Sequence, residues 1–184
     1  MNRSLGDILG GIEVLSSKTR NDNAKVTPTR VEVDRVISSL NSFGECVRYL
    51  NTRRSSGALL TLDSEAAVQD ALYLMLRPWI ADLVPENPTD RIANRFSIKD
   101  FISRSNRFVI EAKYVRNIEH GKAITTELND DIETYRYHAC CDDLIFFIYD
   151  PDALIPDAAA LERHLSSSRR YDDKVLTCHA VIKP

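Results

Sequence analysis

Hydrophobic positions recur at helical spacing in the first part of the chain and at strand spacing in the second part. A stripe at helical spacing predicts a helix from about Pro28 to about Arg54; it consists of Val33, Val36, Ile37, Leu40, Phe43, Val47 and Leu50. Such a stripe either packs on its own domain or forms a dimer or partner surface, and the pattern leaves both open. The apolar segment 58–62 predicts a short strand, and a second helical pattern runs from about Ser64 to Arg77, just before Pro78.

The later part of the chain alternates between strand and helix patterns. Two short strands joined by a polar turn are predicted around residues 96–102 and 108–114. A helix over 127–139, a continuous apolar strand over 144–149, a helix over 158–165, a polar loop over 166–173 and a final strand over 175–182 follow. This order predicts an α/β sandwich around a mixed sheet, preceded by an N-terminal helical extension. We expect the extension to cover residues 1–57 and to serve assembly or partner binding, with the main domain over 58–184.

Three charged residues on the predicted pair of strands carry the candidate chemistry. Glu111 and Lys113 are two residues apart and therefore share one face of their strand, opposite the apolar Phe108 and Ile110. Asp100 follows the period-two pattern of its own strand onto a face that should be apolar, where a carboxylate is costly unless a cation pairs with it. The alternative is a cross-strand salt bridge on a solvent-facing patch, which is worth only about 0–1 kcal/mol.

An acid, a short gap and Glu-x-Lys on the next strand resemble the signature of the PD-(D/E)XK nuclease superfamily. Upstream, Glu65-Ala66-Ala67-Val68-Gln69-Asp70 resembles the start of the first core helix in MboI/DpnII-like restriction-endonuclease-like domains. Downstream, residues 130–135 and 144–151 resemble the second helix and third strand of that group. The resemblance covers about residues 60–184. It implies a restriction-endonuclease-like sandwich with a mixed central sheet flanked by helices, of the kind found in prokaryotic restriction and anti-phage systems.

The resemblance implies a metal-dependent endonuclease that hydrolyses DNA with Mg²⁺, for which Mn²⁺ should substitute. The metal ligands it implies are Asp100, Glu111 and the backbone carbonyl of Ala112. Lys113 would position the attacking water and stabilise the transition state, and Glu65 would hold a water or orient Lys113. Auxiliary roles fall to Gln69, Asp131 and Tyr135.

Charge and composition change this picture in two respects. The net charge of −3 does not indicate nucleic-acid binding. Residues 91–122, however, hold eight basic and three acidic residues around the candidate site. We therefore expect Arg104, Arg107 and Arg116 to contact nucleic acid. Four cysteines without disulfide-like spacing and the lack of an 18-residue apolar run predict a cytoplasmic protein without membrane contact.

Other functions stay open at this point. A junction resolvase, a repair nuclease or an RNA-cleaving nuclease would share the same fold. A non-catalytic subunit that binds nucleic acid or a partner protein belongs to another class, and the intact acid and Glu-x-Lys set disfavours it. We expect specificity to come from a homodimer or higher oligomer, or from a partner protein of a defence complex.

Overall fold

The computed structural model of the protein describes residues 31–53, 57–86, 99–171 and 174–184, and these belong to one compact unit, Val31–Pro184. The helices of this unit are α1 (Val33–Asn41), α2 (Phe43–Thr52), α3 (Glu65–Leu76), α4 (Ile118–Tyr135) and α5 (Ala158–Leu165). Its strands are β1 (Leu83–Glu86), β2 (Lys99–Ser103), β3 (Phe108–Tyr114), β4 (Asp143–Tyr149), β5 (Ser168–Tyr171) and β6 (Lys174–Lys183).

The strands form one six-stranded sheet in the order β1-β2-β3-β4-β6-β5. Strands β1, β2 and β3 pair antiparallel, β3, β4 and β6 pair parallel, and β5 runs antiparallel to β6 at the far edge. After Asp143 at its start, the central strand β4 is a continuous apolar run, because helices cover both of its faces. The mixed sheet flanked by helices confirms the predicted α/β, restriction-endonuclease-like sandwich.

Helices lie on both faces of this sheet, in three layers. On one face, α1, α2 and α3 bury Val36, Leu40, Phe43 and Leu72 in a cluster with Ile110 and other sheet residues. On the other face, α4 and α5 bury residues such as Leu128 and Leu161 against the alternate residues of the same strands. The N-terminal apolar stripe therefore packs on its own sheet. The division at residue 57 and the assembly role of residues 1–57 stay predictions.

Three local predictions were wrong, each for a recognisable reason. Residues 58–62 form no strand, because the Asn51 side chain takes the place of a partner strand: its Oδ1 accepts from the N–H groups of Leu59 and Leu60, at 2.9 and 2.8 Å. The first helix is interrupted at Ser42, so that α1 and α2 are separate. Helix α4 begins at Ile118 rather than near residue 127, because Asn117 caps it by accepting from His120 N–H at 2.8 Å.

Two edge strands went unpredicted. Strand β5 is polar and falls within the expected loop over 166–173, which is typical of an edge strand whose outer side faces solvent. Strand β1, at the other edge, is only four residues long and contains Pro85.

Hydrogen bonds between polar side chains hold the turn between β2 and β3 in place. Asp82 accepts from Ser103 Oγ at 2.6 Å and from Ser105 N–H at 2.8 Å. Asn106 donates to Ser103 Oγ at 2.6 Å and accepts from Val31 N–H at 2.6 Å. These bonds fix the end of the hairpin that carries the candidate site.

Within the described residues, no helix combines the length and the apolar character needed to cross a membrane.

Candidate active site

Glu111 lies in the middle of β3 and is 6% exposed, under helix α4. Strand periodicity turns it away from Phe108 and Ile110, which belong to the core on the opposite face, as predicted. Its Oε2 accepts a hydrogen bond from the Tyr135 hydroxyl at 3.0 Å, and its Oε1 accepts from Lys113 Nζ at 3.0 Å. Each oxygen of this buried carboxylate therefore accepts a hydrogen bond from a side-chain donor.

Lys113 bridges two carboxylates from different elements. Its Nζ lies 3.0 Å from Glu111 Oε1 on β3 and 3.2 Å from Asp131 Oδ2 on α4. The Asp131 oxygen is buried and, apart from this ion pair, accepts no well-directed hydrogen bond. Asp131 and Tyr135 are one helical turn apart, so that a single stripe of α4 faces the polar face of β3.

Burial and charge act in opposite directions on these groups. Burial raises the pKa of Glu111, and the Asp131 charge adds to this, whereas Lys113 and Tyr135 lower it. Burial also raises the pKa of Asp131, with Lys113 opposing. Burial alone would lower the pKa of Lys113, but Glu111 and Asp131 outweigh burial and raise it above its ordinary value. The pKa of each carboxyl remains above its ordinary value, and the Lys113 ammonium opposes this effect of burial.

The Lys113 side chain opens onto a cleft of about 480 Å³. The cleft is lined by Asp63, Ser64, Glu65, Ala66, Lys113, Tyr114, Arg116 and Glu127. Glu65 reaches it because Ser64 caps α3, accepting from Ala67 N–H at 3.3 Å, and so sets the first helical residue at the rim. Residues from α3, β3 and α4 therefore converge on one concave surface.

Asp100 lies on β2, and its side chain is outside the described residues. The main chain pairs Phe101 with Ile110 and Ile102 with Val109 across β2 and β3. Against β1, Phe101 pairs with Pro85 and Lys99 with Glu86, so that the register shifts at Asp100. A β-bulge of this kind is common beside active sites.

A buried Glu-x-Lys pair on the third strand of such a sheet is the arrangement that the sequence resemblance predicted. The family model described as REase_DpnII-MboI matches residues 34–180. The chain belongs to the DpnII/MboI restriction-endonuclease family. No curated protein and no solved structure matches the chain in the corresponding comparisons. The match begins inside α1, so it includes the helices that precede residue 57.

Family membership implies a nuclease, and the remaining predicted site residues can be placed on this frame. Gln69 is half-buried on α3, one turn after Glu65. Ala112 is buried on β3 between Glu111 and Lys113. Among the predicted nucleic-acid contacts, only Arg116 lines the cleft.

The other two arginines lie at the opposite end of β3. Lys113 lies six residues after Arg107, which corresponds to about 20 Å along a strand. Arg104 is exposed in the turn, whereas Arg107 pairs with Asp142 and donates from Nη2 to Asp142 Oδ1 at 2.7 Å. Their contact with nucleic acid stays a prediction, and it requires a substrate that reaches well beyond the cleft.

Two groups at the cleft were absent from the sequence prediction. Glu127 lines it, and the signal was present, since Glu127, Asp131 and Tyr135 recur every four residues along α4. The buried His120 contacts Glu127, with its Nε2 3.4 Å from Glu127 Oε2. Because the sequence predicts that this helix begins only near residue 127, the contact between His120 and Glu127 lies outside the sequence prediction.

Carboxylate oxygens of this kind suit a hard divalent cation. Within residues 31–53, 57–86, 99–171 and 174–184, no group of three or more His, Cys, Asp or Glu side chains is placed to hold a metal ion. Glu111 and Asp131 contribute two carboxylates around one positive charge, and Asp100 is the predicted further donor. The carboxylate oxygens of Glu111 and Asp131 are thus ligands of the chemical type that Mg²⁺ prefers.

Proposed function

We propose that this chain is a Mg²⁺-dependent endonuclease that hydrolyses DNA phosphodiester bonds, with Mn²⁺ able to replace Mg²⁺. The observation that carries the proposal is the Lys113 ammonium held between the buried carboxylate of Glu111 and the half-buried carboxylate of Asp131, at a cleft in a chain of the DpnII/MboI family. A structural salt bridge needs neither a second carboxylate nor an adjoining cleft. A site that binds a divalent cation and a phosphate needs both, because the carboxylates bind the cation and the cleft admits the substrate.

The strand register supports a place for Asp100 in this site. Phe101 pairs with Ile110, so one further step of the same register sets Asp100 opposite Glu111. Residues directly opposite each other in antiparallel strands share a face of the sheet. On this basis Asp100, Glu111 and the carbonyl of Ala112 are the proposed metal ligands.

Each described residue then has a distinct task. A hard cation at these carboxylates supplies Lewis acidity, which neutralises charge on the scissile phosphate and makes a water more acidic. Lys113 offers three donors to water and phosphate. Tyr135 fixes one oxygen of Glu111, and Asp131 holds Lys113 from the helix side. Glu65 and Gln69, one helical turn apart on α3, position water or phosphate at the rim.

The substrate and setting form the finer part of the proposal. Arg116 lines the cleft beside Lys113, where it provides a contact for a phosphate of the DNA backbone. Restriction endonucleases cut both strands, and a twofold pair of subunits brings a site to each strand. We therefore propose an oligomer, or a complex with a partner protein, that acts in prokaryotic restriction or anti-phage defence. All four cysteines are free, in keeping with a reducing cytoplasm.

A nuclease assay with Mg²⁺ on double-stranded DNA, single-stranded DNA and RNA tests this function. The parental chain should cut double-stranded DNA, and Mn²⁺ should support the reaction. Exclusive cleavage of RNA would assign the same site to an RNA-cleaving nuclease. A pure, folded chain that cuts none of the three substrates with either metal would contradict the proposal.

A further inference from the structure

His120 is a buried ionisable side chain that the proposed chemistry does not use. It is 8% exposed, on the first turn of α4, and its own N–H donates to the Asn117 cap at 2.8 Å. Its imidazole therefore sits in a fixed place beside the cleft.

Both ring nitrogens of His120 contact groups that line this cleft. Nδ1 accepts from the Arg116 backbone N–H at 3.3 Å, and Nε2 lies 3.4 Å from Glu127 Oε2. Because Nδ1 accepts, the neutral ring carries its proton on Nε2, which can then donate to Glu127. Contacts of this length often tighten when substrate binds to a catalytic site.

Glu127 is a side chain that needs such an anchor. Its side chain is 46% exposed, and a glutamate at the surface of a helix samples several rotamers. Glu127 shares the cleft with Lys113 and Arg116, two cations with which a mobile carboxylate would pair. Holding Glu127 on His120 keeps its charge in one place and leaves both cations available for phosphate.

We propose that His120 is a positioning residue for the nuclease reaction: it holds Glu127 as a fixed carboxylate of the cleft, and its Nδ1, which accepts from the Arg116 N–H, keeps the ring proton on Nε2. Glu127 accepts hydrogen bonds only, so that it orders water donors beside Lys113. This inference rests on the proposed function. It adds Glu127 and its partner His120 to the α4 side of the site, where Asp131 and Tyr135 lie.

Two conservative substitutions separate the two nitrogens. The amide of His120→Gln reaches the place of Nε2 and can donate to Glu127. The shorter His120→Asn reaches only the place of Nδ1 and can accept from Arg116. If His120 only anchored the start of α4, the loss of activity in each variant would follow its loss of thermal stability.

The first measurement is single-turnover and steady-state cleavage by the parental chain, both His120 variants, Glu127→Gln and the double variant His120→Asn/Glu127→Gln. We expect His120→Gln to keep kcat within about twofold, and His120→Asn and Glu127→Gln each to lower kcat roughly ten- to a hundredfold with KM unchanged, as for losses of supporting partners. The double variant should be no slower than the slower single variant. His164→Asn, an exposed histidine elsewhere, is the control.

The second measurement is independent of activity. Nitrogen-15 NMR of the imidazoles at about pH 8, where an ordinary histidine is neutral, should find His120 protonated on Nε2 and bare on Nδ1, with its signals assigned by their loss in His120→Gln. The opposite tautomer overturns the inference. Equal kcat losses in both His120 variants, or additive losses in the double variant, overturn it as well while leaving the proposed function intact. A parental chain without any cleavage contradicts both.

Discussion

At the scale of single residues, the site depends on how one ammonium is shared between carboxylates. Glu111 is buried and Lys113 nearly so, and Asp131 reaches the same ammonium from the helix. Removing one partner of a buried ion pair leaves charge without compensation, which costs about 3–5 kcal/mol when burial is complete. Here the cleft gives solvent access, so that we expect a smaller cost.

Lys113→Ala should abolish cleavage but keep divalent metal binding, because an ammonium donates to phosphate and water and is no ligand for a cation. Titration calorimetry with Mn²⁺ measures the binding. Lys122→Ala is the matched control, since Lys122 is an exposed lysine paired with Glu119 on α4. Loss of Mn²⁺ binding in Lys113→Ala alone would mean that Lys113 organises the carboxylates instead.

At the scale of the elements, helices and strands with a regular apolar pattern could be predicted from the sequence. Segments whose structure depends on one side-chain hydrogen bond could not. Helix α3, strands β3 and β4 and helix α5 were predicted nearly to the residue, since each has a clear apolar pattern. Segment 58–62 has the composition of a strand, but the Asn51 amide satisfies its backbone. Glu111 and Lys113 followed from strand period, whereas His120 depended on where α4 begins, which the Asn117 cap determines.

The start of α4 also packs closely on the loop after β4. A Cβ at Gly121 would lie 2.4 Å from Leu154 O, whose loop is fixed by Asp150. Gly121→Ala should therefore destabilise the protein by roughly 1–3 kcal/mol, measured by urea unfolding. In α2, a Cβ at Gly44 would meet nothing nearer than 3.9 Å, so Gly44→Ala should be neutral or stabilising by up to about 1 kcal/mol. Equal effects of the two changes would contradict this packing.

The β2–β3 turn should make stability depend on acid pH. Partial burial alone would raise the pKa of Asp82, but hydrogen bonds from Ser103 and Ser105 outweigh it and lower this pKa below its ordinary value. A lowered carboxyl pKa stabilises the fold above the unfolded-state pKa of about 4, and this stabilisation is lost as the pH falls through the folded-state pKa. Asp82→Asn should thus lower Tm at pH 7, and its difference from the parental chain should shrink toward pH 3. Asp152→Asn, on an exposed loop, should track the parental chain, and a constant gap for Asp82→Asn would contradict the linkage.

At the scale of the whole molecule, α1 and α2 complete the core of the sheet. Val36, Leu40 and Phe43 are buried, with Phe43 in edge-on contact with Phe147 of β4 at 4.8 Å between ring centroids. A chain that starts near residue 54 should therefore lose cooperative unfolding, because one face of the sheet would be exposed. A chain of residues 31–184 should keep it, since these residues form one compact unit.

Light scattering of the full chain and of residues 31–184 tests where the proposed assembly surface lies. A lower oligomeric state of the shorter chain would assign assembly to the first 30 residues. The same oligomeric state in both would remove those residues from the proposed interface. Calorimetric unfolding of both chains is the control for folding.

The carboxylates of Asp100 on β2 and Glu111 on β3 are proposed to form the metal site of a DNA endonuclease, and cleavage by alanine variants tests this assignment. Double-stranded DNA is incubated with Mg²⁺ and the parental chain, Asp100→Ala, Glu111→Ala or the matched control Glu119→Ala, an exposed glutamate of α4. We expect cleavage by the parental chain and Glu119→Ala, and a loss of at least about a thousandfold in the other two variants, which should remain folded by circular dichroism. Full Mg²⁺-dependent cleavage by Glu111→Ala would contradict this assignment.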